Sequence, residues 1–262
     1  MRLAISVQKP FYLHLAPVAP HESTCHGCDG PDSVTCAKLY PADGDQNFGL
    51  FGRPCPAFRH RKLFLDRKMP HAPNWNRSSD YPVSFAAFSH FITANQSEEI
   101  DQTWQVRLQA LMSVDDMVGT ILDEVKALGI ESVTWFIYTS DNGYHLGEHL
   151  LPPFNKREPY ETDVQLPMYV LGPDVPRRLL AHPTQHVDLA ATIVALANAE
   201  EHAPMSELDG MSFLPLLFAE AGNYTPWRGH SLQCAPAAIV VYVHQCLSAC
   251  KFKLSDVIQA IS

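Results

Sequence analysis

The chain has 262 residues and a net charge of −9 at pH 7, and 46% of its residues are hydrophobic. This is the composition of a globular protein, and the negative balance argues against nucleic acid as a partner. No run of eighteen apolar residues occurs, so the sequence predicts no membrane span.

The first predicted element is a buried strand over residues 11–16, which ends in a proline-rich loop. His21 lies in this loop. An isolated histidine after a proline is more often a surface residue than a functional one, so the residues alone favour that interpretation. His14, on the strand itself, is predicted to be structural. The fifteen residues that start the chain, MRLAISVQKPFYLHL, lack the proportions of a signal peptide.

Residues 22–100 are rich in Pro, Cys, His and Asn and show no sustained periodicity. The chain has 7 cysteines, an odd number that leaves at least one unpaired. Cys25, Cys28 and Cys36, with His26 between the first two, suggest zinc, but no second ligand pair follows at finger spacing. Disulfides or free thiols are therefore the favoured interpretation.

Residues 101–128 predict an amphipathic helix, with Gly129 as its C-cap. The apolar stripe comprises Leu108, Leu111, Val118, Ile121, Leu122, Val125 and Leu128. Asp115 and Asp116 suggest metal ligands, but a position on the rim of the helix explains them better. The helix leads into the next strand and so forms a βαβ-like unit.

Residues 133–138 form a continuous apolar and β-branched run, typical of a strand buried on both faces of a parallel sheet. Asp141 and Asn142 follow directly, at the carboxyl end where α/β sheets bind ligands. Their oxygens are the hard ligands that Ca²⁺ or Mg²⁺ prefers. Lys156, in the next loop, implies an anionic substrate. The alternative is a type I′ turn at Asp-Asn-Gly and a solvated lysine.

Two further elements follow: a short strand over residues 166–171 and a helix over residues 186–196. Asp188 is predicted to be the N-cap of this helix or a buried hydrogen-bonding group. The last residues, 229–262, contain AIVVYV and two more cysteines.

Several blocks in order resemble the sulfatase family, in its N-acetylglucosamine-6-sulfatase and arylsulfatase branch. These blocks are SDNGYHLGEH, LPP, KREPYE, LPMYVLGPDVP, the VDDMVG helix and a VDL helix entry. The resemblance covers roughly residues 8–228. It implies an α/β fold with an alkaline-phosphatase-like sheet flanked by helices. Its N-terminal strands are expected to be missing, and its C-terminal antiparallel subdomain degenerate or absent.

The resemblance also implies roles for individual residues. Asp141 and Asn142 would be Ca²⁺ ligands, and Lys156 would bind the sulfate and the leaving oxygen. His21 would bind sulfate and act as the general acid. His145 would lie near the substrate, although a role in stabilising its loop fits equally well.

The family nucleophile is a formylglycine made from cysteine, and its motif precedes the block that contains His21. Cys55 fits a loose version of that motif, but it lies after His21 and lacks the residues that normally follow. The formylglycine cysteine and an acidic pair that completes the Ca²⁺ site therefore have no counterpart in this chain. The expectation is a partial catalytic domain over residues 1–228, inactive alone, with a divergent tail over residues 229–262.

The expected partner is a sulfated carbohydrate or an aryl sulfate. Two alternatives remain: a phosphoesterase of the same superfamily, and a non-catalytic remnant that binds sulfated glycans. The full-length protein is expected to be secreted, lysosomal or extracellular. Glycosylation sequons at Asn76, Asn95 and Asn223 lean weakly towards that route.

Overall fold

The computed structural model describes residues 10–22, 53–78, 90–180, 182–201, 205–218 and 239–244. Its strands are β1 (Tyr12–Leu15), β2 (Thr134–Thr139), β3 (Tyr169–Leu171) and β4 (Ile239–His244). Its helices are α1 (Ala94–Ala127), α2 (Glu161–Val164), α3 (Val187–Leu196) and α4 (Leu214–Phe218). Short 3-10 helices lie at Phe58–His60, Glu131–Val133 and Met205–Glu207. No described helix is both long enough and apolar enough to cross a membrane.

The four described strands form one mixed sheet in the order β1-β4-β2-β3. β1 and β4 are parallel, with Tyr12 opposite Val240, whereas β2 and β3 are antiparallel, with Phe136 opposite Leu171. The all-parallel surroundings predicted for β2 are therefore wrong on the β3 side. A continuous apolar run indicates that a strand is buried. It does not indicate whether the neighbouring strands are parallel or antiparallel to it.

The first and the last strands in the chain, β1 and β4, both differ from the prediction. The first strand was predicted to be buried over residues 11–16, but β1 is shorter and alternates, with Tyr12 51% exposed. β1 lies at an edge of the described sheet, a position that its apolar sequence does not reveal. The tail contributes β4, which the sequence analysis did not predict, although Ile, Val and Tyr are strong strand formers.

The long helix α1 begins at Ala94, seven positions before the predicted start at 101. A capping box formed by Thr93 and Gln96 explains this earlier start. The amide of Gln96 donates to the Thr93 hydroxyl, and the amide of Thr93 donates to the Gln96 side chain. At the other end Gly129 has a φ of +65°, which confirms the predicted C-cap.

The later elements follow the prediction with smaller differences. The helix predicted over residues 186–196 is observed as α3, Val187–Leu196. The strand predicted over residues 166–171 is shorter and starts at Tyr169. Asp188 is not the N-cap but is buried, and its carboxylate accepts bonds from the amides of Gln185 and Met211, each at 2.9 Å. The hydrogen-bonding alternative is therefore confirmed.

The chain divides into two compact units, each with its own apolar core. The first unit comprises Met1–Leu15, Asp123–Tyr138 and Met168–Val243, and its core includes Trp135, Ile137, Leu189, Leu196 and Phe213. The second comprises Ala16–Leu122, Thr139–Pro167 and His244–Ser262, and its core includes Met69, Ile100, Trp104, Tyr144, Leu146 and Phe154. All the predicted site residues belong to the second unit.

Candidate active site

The loop that follows β2 contains the two predicted metal ligands. Its turn is closed locally: one oxygen of Asp141 accepts the Asn142 amide at 2.9 Å, and the Ser140 hydroxyl donates to the Asn142 carbonyl at 2.8 Å. Asp141 is exposed, and Asn142 is half-buried. Neither residue, nor Gly143, has the positive φ that a type I′ turn requires, so the type I′ turn of the alternative interpretation is wrong.

Gly143 brings the loop against the backbone of α2. Its amide donates to the Asp163 carbonyl at 2.7 Å, and the Tyr144 amide donates to the Thr162 carbonyl at 2.9 Å. A Cβ at position 143 would overlap the backbone of Thr162, so only glycine permits this approach. The loop of Asp141 and Asn142 is therefore held in place by main-chain hydrogen bonds.

His145 is completely buried and bonded on both sides of its ring. Nδ1 lies 2.9 Å from the Asp163 carboxylate, and Nε2 lies 3.1 Å from the Pro152 carbonyl oxygen. Asp163 is itself 4% exposed and also accepts the Glu158 amide at 2.9 Å. This geometry is what a loop-stabilising histidine requires, and contact between His145 and a substrate stays a prediction.

The segment that carries Lys156 is paired with the segment that carries His145. Main-chain bonds of 3.0 and 3.1 Å join His145 to Asn155 and to Phe154. Lys156 comes directly after this pairing, is half-buried, and donates its amide to the Asn155 side chain at 2.8 Å. The backbone beside Lys156 is thus fixed relative to the loop of Asp141 and Asn142.

His21 lies in the loop after β1, with 43% of its side chain exposed. Its amide bonds the Val18 carbonyl at 2.8 Å, and its Nδ1 lies 2.9 Å from the Glu22 carbonyl oxygen. The neighbouring Glu22 carboxylate accepts a bond of 3.0 Å from the hydroxyl of Tyr144. Hydrogen bonds therefore connect all three predicted segments, those of His21, of Asp141 with Asn142, and of Lys156.

The connecting residues Glu22, Tyr144 and Asp163 were not predicted as part of the site, and neither was Arg107 of α1, whose guanidinium donates to the Pro20 carbonyl at 3.1 Å. His145 and Asp163 are 18 positions apart, and Tyr144 and Glu22 are 122 apart, so no local pattern marks either pair. Two features of the sequence could have indicated these residues. Asp163 is a carboxylate inside the KREPYETD stretch, and Arg107 is a cationic residue on the apolar side of α1.

Asp141 and Asn142 suit a calcium site in type but not in number. Both offer hard oxygen donors, yet Ca²⁺ takes about six to eight ligands. Within the described residues no group of three or more His, Cys, Asp or Glu side chains is placed to hold a metal. The described residues therefore fit as part of a calcium site and do not complete one.

Other residues singled out in the sequence lie as follows. Cys55 is disulfide-bonded, so its thiol is not free for conversion to formylglycine. Asp115 and Asp116 both lie on α1, and Asp116 is bonded to Arg59 and His60. The zinc-or-disulfide alternative at Cys25, Cys28 and Cys36 lies outside the described residues.

Of the three sequons, two are described. Asn95 is exposed near the start of α1. Asn76 is half-buried, and its side-chain amide bonds both the amide and the carbonyl of Ile92, at 2.7 and 3.3 Å. Asn223 lies outside the described residues.

Comparison with known proteins decides the family. The sulfatase family model matches residues 2–199, most of the chain. The chain belongs to the sulfatase family. The family model begins at residue 2, slightly before residue 8, where the resemblance seen in the sequence begins. It ends at residue 199, whereas that resemblance extends to about residue 228.

Curated relatives include a sulfatase, ppz1, of Metarhizium majus (34% identity, 74% of this chain and 41% of the relative). An arylsulfatase of Volvox carteri is 30% identical over 80% of this chain and 32% of its own length. Human N-acetylglucosamine-6-sulfatase is 36% identical over 74% of this chain and 36% of its own. The chain thus spans between about a third and two fifths of these sulfatases.

A solved structure also matches at 28% identity, with a TM-score of 0.41, over 55% of this chain and 29% of that one. That protein was solved in complex with its substrate, D-glucosamine-2-N,6-O-disulfate.

Proposed function

We propose that this sulfatase chain forms the sulfate-binding side of an active site that hydrolyses sulfate esters. The proposal is supported by the hydrogen bonds that connect three segments, those of His21, of Asp141 with Asn142, and of Lys156. The bonds are made by the immediate neighbours of these residues. All three segments lie inside the span that matches the sulfatase family. A hydrolase of this kind needs cationic side chains near an anionic ester, and these segments carry them.

Lys156 and His21 are the residues proposed to bind sulfate. The ammonium group of Lys156 would neutralise an anionic oxygen of the ester, and charge-assisted bonds of this type are about twice as strong as neutral ones. His21 would bind a second oxygen and transfer a proton to the leaving oxygen. Its half-exposed ring is compatible with access from solvent.

Asp141 and Asn142 are the residues proposed to ligate calcium. A bound Ca²⁺ would lower the repulsion between the ester oxygens and an incoming nucleophile. The described residues contribute two such ligands, and the others would come from residues outside the described set.

The nucleophile is not assigned to any residue of this chain. Cys55 is the only cysteine followed by a formylglycine-like pattern, and it is disulfide-bonded. We therefore propose that the 262 residues alone do not turn over sulfate esters, since removal of a nucleophile typically costs about 10⁶ in turnover.

The proposed substrate is a sulfated glycan with a 6-sulfated N-acetylglucosamine, and an aryl sulfate is the second candidate. The names of the human and algal relatives support these two classes. A secretory location is proposed on the exposed sequon at Asn95 and on the disulfide of Cys55. A relative in Drosophila melanogaster is named an extracellular sulfatase, with 39% identity over 43% of this chain.

The test combines peptide mapping of the native protein by mass spectrometry with an assay of sulfate release. Because the proposal assigns no nucleophile to these 262 residues, it expects the native protein to yield a formylglycine peptide from outside them, and to release sulfate in a reaction that Lys156→Met abolishes. Lys126→Met, which removes an exposed lysine of α1, is the matched control and should retain activity. A native protein with no formylglycine peptide and no sulfate release would contradict hydrolysis and favour the glycan-binding remnant.

A further inference from the structure

We infer that Arg107, Tyr144 and Glu22 position His21 relative to the loop of Asp141 and Asn142. We call these three residues the positioning link. The inference rests on the proposed function, because it concerns how two segments of that site are held together.

The first part of the link is Arg107, on the middle of α1. Arg107 is 2% exposed, and its Nη1 donates to the carbonyl of Pro20 at 3.1 Å. Pro20 directly precedes His21, so this bond fixes the peptide unit from which His21 extends. A buried guanidinium is a rigid donor, since its planar fork loses little freedom when it bonds.

The second part is Tyr144, two positions after Asn142. The Arg107 guanidinium lies over its ring, 4.0 Å from the centroid, a favourable cation–π geometry. The Tyr144 main chain is fixed by its bond to Thr162, and its side chain is 2% exposed. One arginine thus contacts both the loop of His21 and the loop of the metal ligands.

The third part is Glu22, which follows His21. Its Oε1 accepts the Tyr144 hydroxyl at 3.0 Å, and its Oε2 lies 3.8 Å from Nδ1 of His21. Tyr144 therefore holds the carboxylate that flanks the proposed sulfate-binding histidine. Because the three contacts share residues, loss of one loosens the loop of His21 while leaving the fold around it intact.

A histidine that protonates a leaving group needs a defined distance and angle to that oxygen. His21 lies in a half-exposed loop, where few packing contacts fix a side chain. The positioning link supplies that restraint from the buried side of the loop. We assign these residues a positioning role, since the contacts that define the link join one protein group to another.

The test measures the ring resonances of His21 by NMR in the 262-residue chain without ligand. Tyr144→Phe removes only the hydroxyl that holds Glu22 and keeps the ring under Arg107. We expect the His21 ring signals to shift or broaden, with the other assigned histidines unchanged. Unchanged His21 signals in Tyr144→Phe would overturn the inference, whether or not the chain binds a sulfated sugar.

Two variants serve as matched controls. Tyr160→Phe removes another buried tyrosine hydroxyl of the same unit, for which the described residues offer no hydrogen-bond partner. It should leave the His21 signals unchanged. Glu22→Gln keeps an oxygen that can accept the Tyr144 hydroxyl and should resemble the wild type, whereas Glu22→Ala should resemble Tyr144→Phe.

A binding cycle with N-acetylglucosamine 6-sulfate adds a readout that a purely structural role would not change. Tyr144→Phe should weaken binding by about two- to tenfold, the equivalent of one hydrogen bond. In a His21→Ala background the same substitution should have no further effect, because the link acts through His21. An equal loss in both backgrounds would overturn the positioning role. Absence of binding by the wild type would instead contradict the proposed function.

Discussion

Gly143 lies where the loop after β2 meets the backbone of α2, and the close approach leaves no room for a methyl group at this position. Gly143→Ala places a Cβ against the Thr162 carbonyl, so we expect the free energy of unfolding to fall by about 1–3 kcal/mol. Gly119→Ala, inside α1, meets no atom within 4 Å and should raise that free energy by about 0.5–1 kcal/mol. Chemical denaturation of both variants checks the pair, and equal effects would contradict the close approach.

The buried pair of His145 and Asp163 gives a second prediction at the scale of residues. Asp163→Ala leaves the ring of His145 without its carboxylate and the Glu158 amide without its acceptor. We expect a loss of about 3 kcal/mol in the free energy of unfolding, as for other broken buried pairs. Denaturant titration measures it, with Asp209→Ala, at an exposed aspartate, as the control.

A double-mutant cycle separates the pair from its surroundings. If His145 and Asp163 act together, the double variant His145→Ala/Asp163→Ala should lose less than the sum of the two single variants, by about 1–3 kcal/mol. Simple additivity would show that the two side chains stabilise the loops independently.

At the scale of elements, the anchoring of residues 59–60 on α1 depends on pH. The Arg59 guanidinium donates to Asp116 and, with a further bond from His60, holds the pKa of Asp116 below its usual value of 3.8. A depressed pKa means that this contribution is present above the unfolded value and is lost as the pH falls through the folded one.

The matching experiment compares Asp116→Asn with the wild type during urea unfolding from pH 6 to pH 2. The wild type should be the more stable protein near neutrality, and the difference should shrink as the pH falls below about 3.8 towards the lowered pKa of Asp116. Asp123→Asn, at an exposed position of the same helix, should not show this pH-dependent difference. A difference that is as large at pH 2 as at pH 6 would contradict the ion cluster.

The elements differ in how far sequence predicts them, and the reasons are physical. α1 was recognisable because its apolar stripe extends over many turns, and β2 because six consecutive residues suit a buried strand. The direction of β3 and the edge position of β1 were not predictable, since strand order depends on contacts distant in sequence. β4 was missed because it lies outside the family pattern.

The residues of the candidate site also differ in how far the sequence predicts them. Asp141 and Asn142 were proposed because they follow a strand and carry oxygen ligands, Lys156 because it lies in the next loop, and His21 because its block resembles a family. The residues that hold them, Asp163 and the positioning link, pair across tens of positions and emerge only in the folded chain.

At the scale of the whole molecule, the chain belongs to a known family, and its described residues supply part of the proposed site. They bring together the segments of His21, Asp141 and Lys156 within one compact unit. The two proposed calcium ligands among them are too few for tight binding. The proposed binding of the sulfate group by Lys156 and His21 can be tested directly with this chain.

The measurement that tests the central claim is calorimetric titration of the chain with N-acetylglucosamine 6-sulfate, alongside N-acetylglucosamine without sulfate. We expect binding of the sulfated sugar only, weakened at least about tenfold by Lys156→Met, since a charged hydrogen bond contributes about 1.5–3 kcal/mol. Lys126→Met should bind as the wild type does. Equal binding of the two sugars, or an unchanged affinity in Lys156→Met, would contradict the proposal that this chain forms the sulfate-binding side of a sulfatase site.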